Sequence, residues 1–232
     1  MATMTEVRGA GSPDFDPTQG FYSRSTAARL ARVPQRTVTL WDRHGIIPPI
    51  VQWVNEQGKE IPGYTFEGLV YLRLIRMLRE MKKPFPLRKV VETVTYLRTI
   101  YGPPSPRWVE AKIVSDGKNL WVQHPVIAVA SRAGQMPLKE FFRAELGRMA
   151  QRQDALLIPL DFMRWVEIKP ALRNGMPVIK GTGIETSIIH AAFNQGLTVP
   201  NIKSRYPYLS PPQISHSERF EQFLDAQEAL AP

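Results

Sequence analysis

Apolar residues recur at three- and four-residue spacing along two long stretches, Phe66, Leu69, Val70, Leu74, Met77, Leu78 and Met81, then Leu87, Val90, Val91, Val94, Leu97 and Tyr101. That period predicts two amphipathic helices. Arg73, Arg76, Arg79, Arg88, Lys89 and Arg98 fall mostly off the apolar stripe, as an ordinary solvated face would place them. Gly102, Pro103, Pro104, Ser105 and Pro106 follow. Proline lacks the amide a helix needs, so the cluster ends the second helix and marks a domain boundary. Beyond it, Ile113-Val114, the turn signal Asp116-Gly117 and Leu120-Trp121-Val122 predict a β-hairpin, with a further strand over residues 126–129. Residues 138–152 return to a helical pattern, and residues 156–160 and 165–168 look like short strands.

Upstream, the order of residues suits a helix-turn-helix. Ser25 is placed to cap a helix over residues 26–31 carrying Ala27, Ala28 and Leu30; Val33 and Pro34 make a turn; residues 35–43 form the second helix. Val38 and Trp41, three apart, face the core and leave Arg36, Thr37, Thr39, Leu40 and Arg43 on other faces, with Gln35 near the start. Arg and Gln make bidentate contacts to guanine and adenine in a major groove, and Thr meets phosphate or a thymine methyl. Two runs, residues 51–54 and 61–64, flank a polar turn with Lys59 near its tip, a hairpin of wing size whose lysine can reach phosphate. The expected DNA-contacting set is therefore Ser25, Gln35, Arg36, Thr37, Thr39, Arg43 and Lys59.

The last part reads as short helices between turns. Gly175, Pro177, Gly181 and Thr182 form a structural motif: an extended piece over residues 177–179, then glycines that turn the chain. Ser187 is expected to cap a helix over residues 188–195 stopped by Gly196, and Thr198 a second through Arg205. Ser210 and Gln213 stand at capping-box spacing around Pro211 and Pro212, so a third helix should run towards Leu230. A phosphate loop is excluded by order, because Lys180 precedes Gly181 where a Walker sequence needs glycine and then Lys-Thr.

Composition narrows the function classes. The 232 residues carry 30 Lys and Arg against 21 Asp and Glu, a formal charge of +9, which favours a polyanionic partner, with a merely solubilising surface as the alternative. Without cysteine there are no disulfides, thiolate metal sites or Cys nucleophiles. His44, His124, His190 and His216 are isolated and no Gly-x-Ser-x-Gly elbow occurs, so neither metal, cofactor nor enzymatic activity is expected. No apolar run is long enough to span a bilayer, so the expectation is a cytoplasmic protein with no membrane partner. Four segments result: a flexible tail over residues 1–20, a DNA-binding domain over 21–102, a β-containing linking segment over 103–168 and a trihelical domain over 169–232.

Two resemblances sharpen this. Tyr22-Ser23, Ala27-Ala28-Arg29-Leu30, Val33, Thr37-Val38, Trp41-Asp42-Arg43, Gly45-Ile46-Ile47-Pro48 and Tyr64-Thr65 resemble the MerR family's N-terminal domain. Gly175, the run 177–182, Ile184, Gly196-Leu197-Thr198, Ile202, Tyr206-Pro207, Leu209-Ser210 and Ile214 resemble the trihelical domain of VapB-type antitoxins. Members of that family usually carry Arg where Gly183 stands here. The fold class implied is mainly α with a small β element: a MerR-like winged helix-turn-helix, a β-containing middle and a C-terminal trihelical, homeodomain-like domain. The resemblance implies an antitoxin that neutralises a PIN-like ribonuclease toxin and binds operator DNA to regulate its own operon, with Ile214, Phe220, Phe223 and Leu224 as the toxin-binding side of the last helix. Docking of those residues onto their own domain is the competing reading. The alternative functions are a MerR-like transcription regulator sensing a small molecule, and a scaffold that never touches nucleic acid. MerR regulators dimerise through a long helix after this domain; here the helix stops at Gly102, so a homodimer would need another surface.

Overall fold

The computed structural model describes residues 17–46, 51–54, 60–80, 86–102, 112–115, 120–123, 148–149 and 152–229, and over these the chain is mostly helical with small antiparallel sheets. It divides into two compact units, one formed by residues up to 69 together with residues from 158 on, the other by residues 70–157.

In the first unit a short 3-10 turn, Pro17–Gln19, leads to β1 (Tyr22–Ser23) and then α1 (Arg24–Ala31). Ser25 is not the cap. Ser23 is, its Oγ accepting from the Thr26 amide at 3.2 Å, and the helix begins two residues earlier than the sequence suggests. The reason is long-range: pairing of Tyr22 with Tyr64 and of Ser23 with Gly63 holds Ser23 extended, the conformation a cap requires. Arg32 closes α1 in the left-handed region (φ 58°), Val33 donates back to the Ala28 carbonyl, and Pro34 opens α2 (Gln35–Arg43), which has the expected bounds. Gly45, at φ 64°, follows it.

The wing consists of β2 (Val51–Val54) paired antiparallel with β3 (Glu60–Tyr64), and β3 also receives β1, giving the sheet order β1-β3-β2. The turn with Lys59 lies outside the described residues. Buried Ala27, Ala28, Leu30, Val38, Trp41, Tyr22 and Tyr64 form the apolar centre of the helix-turn-helix. α3 (Phe66–Arg79) opens in this unit, and its residues from Val70 on belong to the second.

In the second unit α4 (Leu87–Tyr101) buries Val90, Thr93, Val94 and Leu97, and the hairpin of β4 (Lys112–Ser115) and β5 (Leu120–Gln123) pairs Ile113 with Val122 and Val114 with Trp121. The strand expected over residues 126–129 and most of the helix expected over 138–152 lie outside the described residues. The stretch from 156 to 160 is not a strand. Ala155 and Leu157 donate to the carbonyls of Arg152 and Asp154, making turns; Leu156, Leu157 and Ile158 are buried, and Leu160 is exposed.

The chain then re-enters the first unit. β6 (Val166–Glu167) pairs with β7 (Val178–Ile179), and three helices follow: α5 (Thr186–Asn194), α6 (Val199–Arg205) and α7 (Pro211–Ala229). Ile179, Ile184, Ile189, Ile202, Leu209 and Ile214 make their common core. α5 starts after Glu185, not after Ser187, because the Thr186 amide is held by the Pro177 carbonyl at 3.0 Å and Glu185 is bridged to Val178. The other two caps stand as read: Thr198 forms a capping box with Asn201, and Ser210 with Gln213. Gly181 donates its amide to the Glu167 carboxylate at 3.0 Å, and Thr182 Oγ1 donates to the Ile179 carbonyl and accepts from the Ile184 amide. The glycine–threonine motif is thus a self-satisfied turn.

Candidate nucleic-acid interface

With 3.6 residues per turn, Arg36, Leu40 and Arg43 at i, i+4 and i+7 share one stripe of α2, opposite the buried Val38 and Trp41. Gln35, Arg36, Leu40 and Arg43 are exposed, whereas Thr37 and Thr39 are half-buried. Thr39 Oγ1 donates to its own helix at the Gln35 carbonyl (3.0 Å), so its hydroxyl can only accept from a base and its methyl is left for apolar contact. Ser25 is exposed at the start of α1, its Oγ 2.9 Å from Ser23 Oγ. The structure therefore brings Gln35, Arg36 and Arg43 onto one open helix, puts Ser25 on the preceding helix, and gives no position for Lys59.

α2 is held at its far end by a polar cluster that the sequence did not single out. Arg24 Nε donates to Asp42 Oδ2 at 2.9 Å and the Tyr64 hydroxyl donates to the same oxygen at 2.5 Å. One carboxylate thereby ties α2 to α1 and to the wing strand. Burial pushes the Tyr64 phenol above its ordinary range, and the Asp42 charge adds to this against the opposing Arg24. Tyr22 is displaced upward by burial alone.

Both phenols are neutral in the fold, while in the unfolded chain they ionise near 10.0. Their stabilisation is complete below that pH and is lost as pH rises beyond it. Urea unfolding between pH 9 and 11.5 should show stability falling above pH 10, by up to about 1.4 kcal/mol per pH unit for each tyrosine, and Tyr22→Phe should make the fall shallower. Parallel profiles for the two proteins would contradict this.

The recognition end is joined to the C-terminal helices inside the same unit. The Tyr22 hydroxyl donates to the Gly175 carbonyl at 2.9 Å and the Phe21 amide to the Asn174 carbonyl at 3.0 Å. Arg29 on α1 donates through Nη1 to Glu221 (2.7 Å) and through Nη2 to Asp225 (2.6 Å), both on α7. Glu221 also accepts from Thr186 Oγ1, and Asp225 lies 3.4 Å from His190 Nε2. A depression at the start of α2 is lined by Arg29, Arg32, Gln35 and Arg36 and, from α7, by Gln227.

Ile214, Phe220 and Leu224 are fully buried, so they pack their own domain and offer no surface to a partner; Phe162 meets Phe220 edge-on at 5.4 Å. Phe223 is half-buried, with Phe162 on one side (5.8 Å) and the Arg32 guanidinium over its ring (5.8 Å). Among the described residues from 158 on, the exposed large apolar side chains are Leu160, Ile188 and Tyr208. Among the described residues no cluster of His, Asp and Glu could hold a metal ion, and no helix is long and apolar enough to cross a membrane.

No curated protein matches the sequence. Among solved structures the chain is similar to the X-ray crystal structure of Rv2018 from Mycobacterium tuberculosis, with 15% identity, 84% of this chain and 96% of the other covered, and a TM-score of 0.49. Residues 22–95 match the family described as MerR HTH family regulatory protein, and residues 166–219 match the protein of unknown function DUF433. The chain thus pairs a MerR-type helix-turn-helix domain with a DUF433 domain.

Proposed function

We propose that this protein is a DNA-binding transcription regulator that serves as the antitoxin of a toxin–antitoxin pair. Its α2 helix enters the major groove of its own operator, and its C-terminal domain captures a PIN-like ribonuclease. The observation that carries the DNA half is the open Arg36–Leu40–Arg43 stripe on a helix anchored from behind by Val38, Trp41 and Asp42. The antitoxin half rests on the likeness of the Pro177 to Thr182 turn and its three helices to VapB-type antitoxins. Among the described residues from 158 on, Leu160, Ile188 and Tyr208, not the buried side of α7, are the exposed apolar side chains that would meet a nuclease. The Tyr22 and Arg29 bonds give a physical route by which occupancy of one end would be felt at the other.

Gel shifts with DNA from upstream of the gene, repeated across salt concentrations, test the first half. Specific binding should weaken steeply with salt, because each phosphate neutralised adds about 0.9 to the log–log slope. Arg36→Ala and Arg43→Ala should each weaken binding about tenfold or more, the worth of one bidentate base contact. Co-expression with the nuclease encoded beside it, followed by size exclusion, tests the second half, and both variants should still form that complex. Operator binding that responds to a small molecule, with no nuclease complex, would favour the sensing regulator instead.

A further inference from the structure

Leu40 is an anomaly on α2. It is 50% exposed in the middle of a stripe otherwise made of Arg36 and Arg43, and leaving a leucine half in water forfeits burial free energy that the fold does not recover. We infer that Leu40 is a specificity-determining residue that reads the C5-methyl group of a thymine in the major groove, between bases or phosphates engaged by Arg36 and Arg43. This rests on the DNA-binding reading above and goes beyond it by assigning a base.

The neighbours select the occupant. An apolar protein surface seated on Leu40 would have to cover the Arg36 and Arg43 guanidinium groups, and Asp42, the one carboxylate of this helix, is engaged by Arg24 and Tyr64. Duplex DNA offers the opposite combination, flanking phosphates and guanine acceptors for the arginines and one apolar feature, the thymine methyl, at the groove edge.

The test uses the full chain and duplexes it selects from a random-sequence pool. Each thymine of the selected site is replaced in turn by uracil, which removes only the C5-methyl, and affinity is read by fluorescence anisotropy for the native protein and for Leu40→Ala. Because Leu40 is half in solvent, the variant should keep the native melting temperature, which is measured alongside. At one thymine of the selected site the native protein should lose about fourfold in affinity, the value of one buried methyl, while Leu40→Ala binds both duplexes equally. If no thymine is sensitive, or if Leu40→Ala keeps the same preference for thymine over uracil, the inference is overturned while the DNA-binding function stands. If the pool yields no selected sequence, the DNA-binding function falls and the inference with it.

Discussion

Gly175→Ala is expected to destabilise the protein by about 3 kcal/mol, far more than an alanine at other turn glycines. Two effects combine. Gly175 sits at φ 82°, where a side chain costs about 1–2 kcal/mol. A Cβ there would also stand 1.9 Å from Tyr22 Oη and 2.6 Å from its Cζ, so the ring has to move and its hydroxyl loses the Gly175 carbonyl. A buried hydroxyl left without a partner costs about 1–3 kcal/mol more. Gly196 supplies the control: φ is 83°, yet no atom lies within 4 Å of its Cβ position. Gly196→Ala should therefore show the conformational part alone, and adding Tyr22→Phe to Gly175→Ala, which removes the closest atom, should recover part of the loss. Equal midpoints for the two alanine variants in urea would refute the account. The loop is already committed, since Arg173 and Asn174 also have positive φ, 50° and 54°.

The second large effect is at Glu221. Its side chain is 3% exposed, yet it accepts from Arg29 and from Thr186, and its backbone carbonyl takes a further Arg29 bond at 3.2 Å. Glu221→Ala leaves the Arg29 guanidinium without its inner partner, and breaking a buried pair from one side costs about 3–5 kcal/mol. Asp225 binds the same arginine at 2.6 Å but is 49% exposed, so Asp225→Ala should cost under about 1 kcal/mol. The ratio is the prediction: distance alone would rank the two alike, and burial separates them. Replacing both ends, Arg29→Met with Glu221→Leu, should restore most of what the single change loses, because apolar substitutes for a buried pair are often neutral. Thermal denaturation of the three variants decides it, and a double variant as unstable as Glu221→Ala would contradict the reading.

What the sequence made legible was local. Gln35–Arg43 was readable from end to end because Pro34 and Gly45 bracket it and Val38 and Trp41 mark its buried side. The boxes at Thr198 and Ser210 were readable because cap and partner lie three residues apart. Where two cap-type residues competed, at Ser23 against Ser25, a strand pairing forty residues downstream decided, and no local pattern carries that. The apolar run from 156 to 160 could be a strand or a packed turn by composition, and the turn bonds at Arg152 and Asp154 chose the turn. Leu40 looked like one more residue off the core face; only its exposure between two arginines gives it a role. The seam partners Tyr22 and Gly175, and Arg29 and Glu221, are separated by 153 and 192 residues, beyond any motif.

Those separations also set a schedule for the newborn chain. Arg29 leaves the ribosome long before Asp225, 196 positions later, and at about 5–20 residues per second the interval is roughly 10–40 s. Through all of that time α1 has neither α7 to pack against nor carboxylates for its arginine. The Arg29 pairs therefore form only once translation has passed Asp225, and a message broken before the codon for Glu221 yields a helix-turn-helix that lacks them.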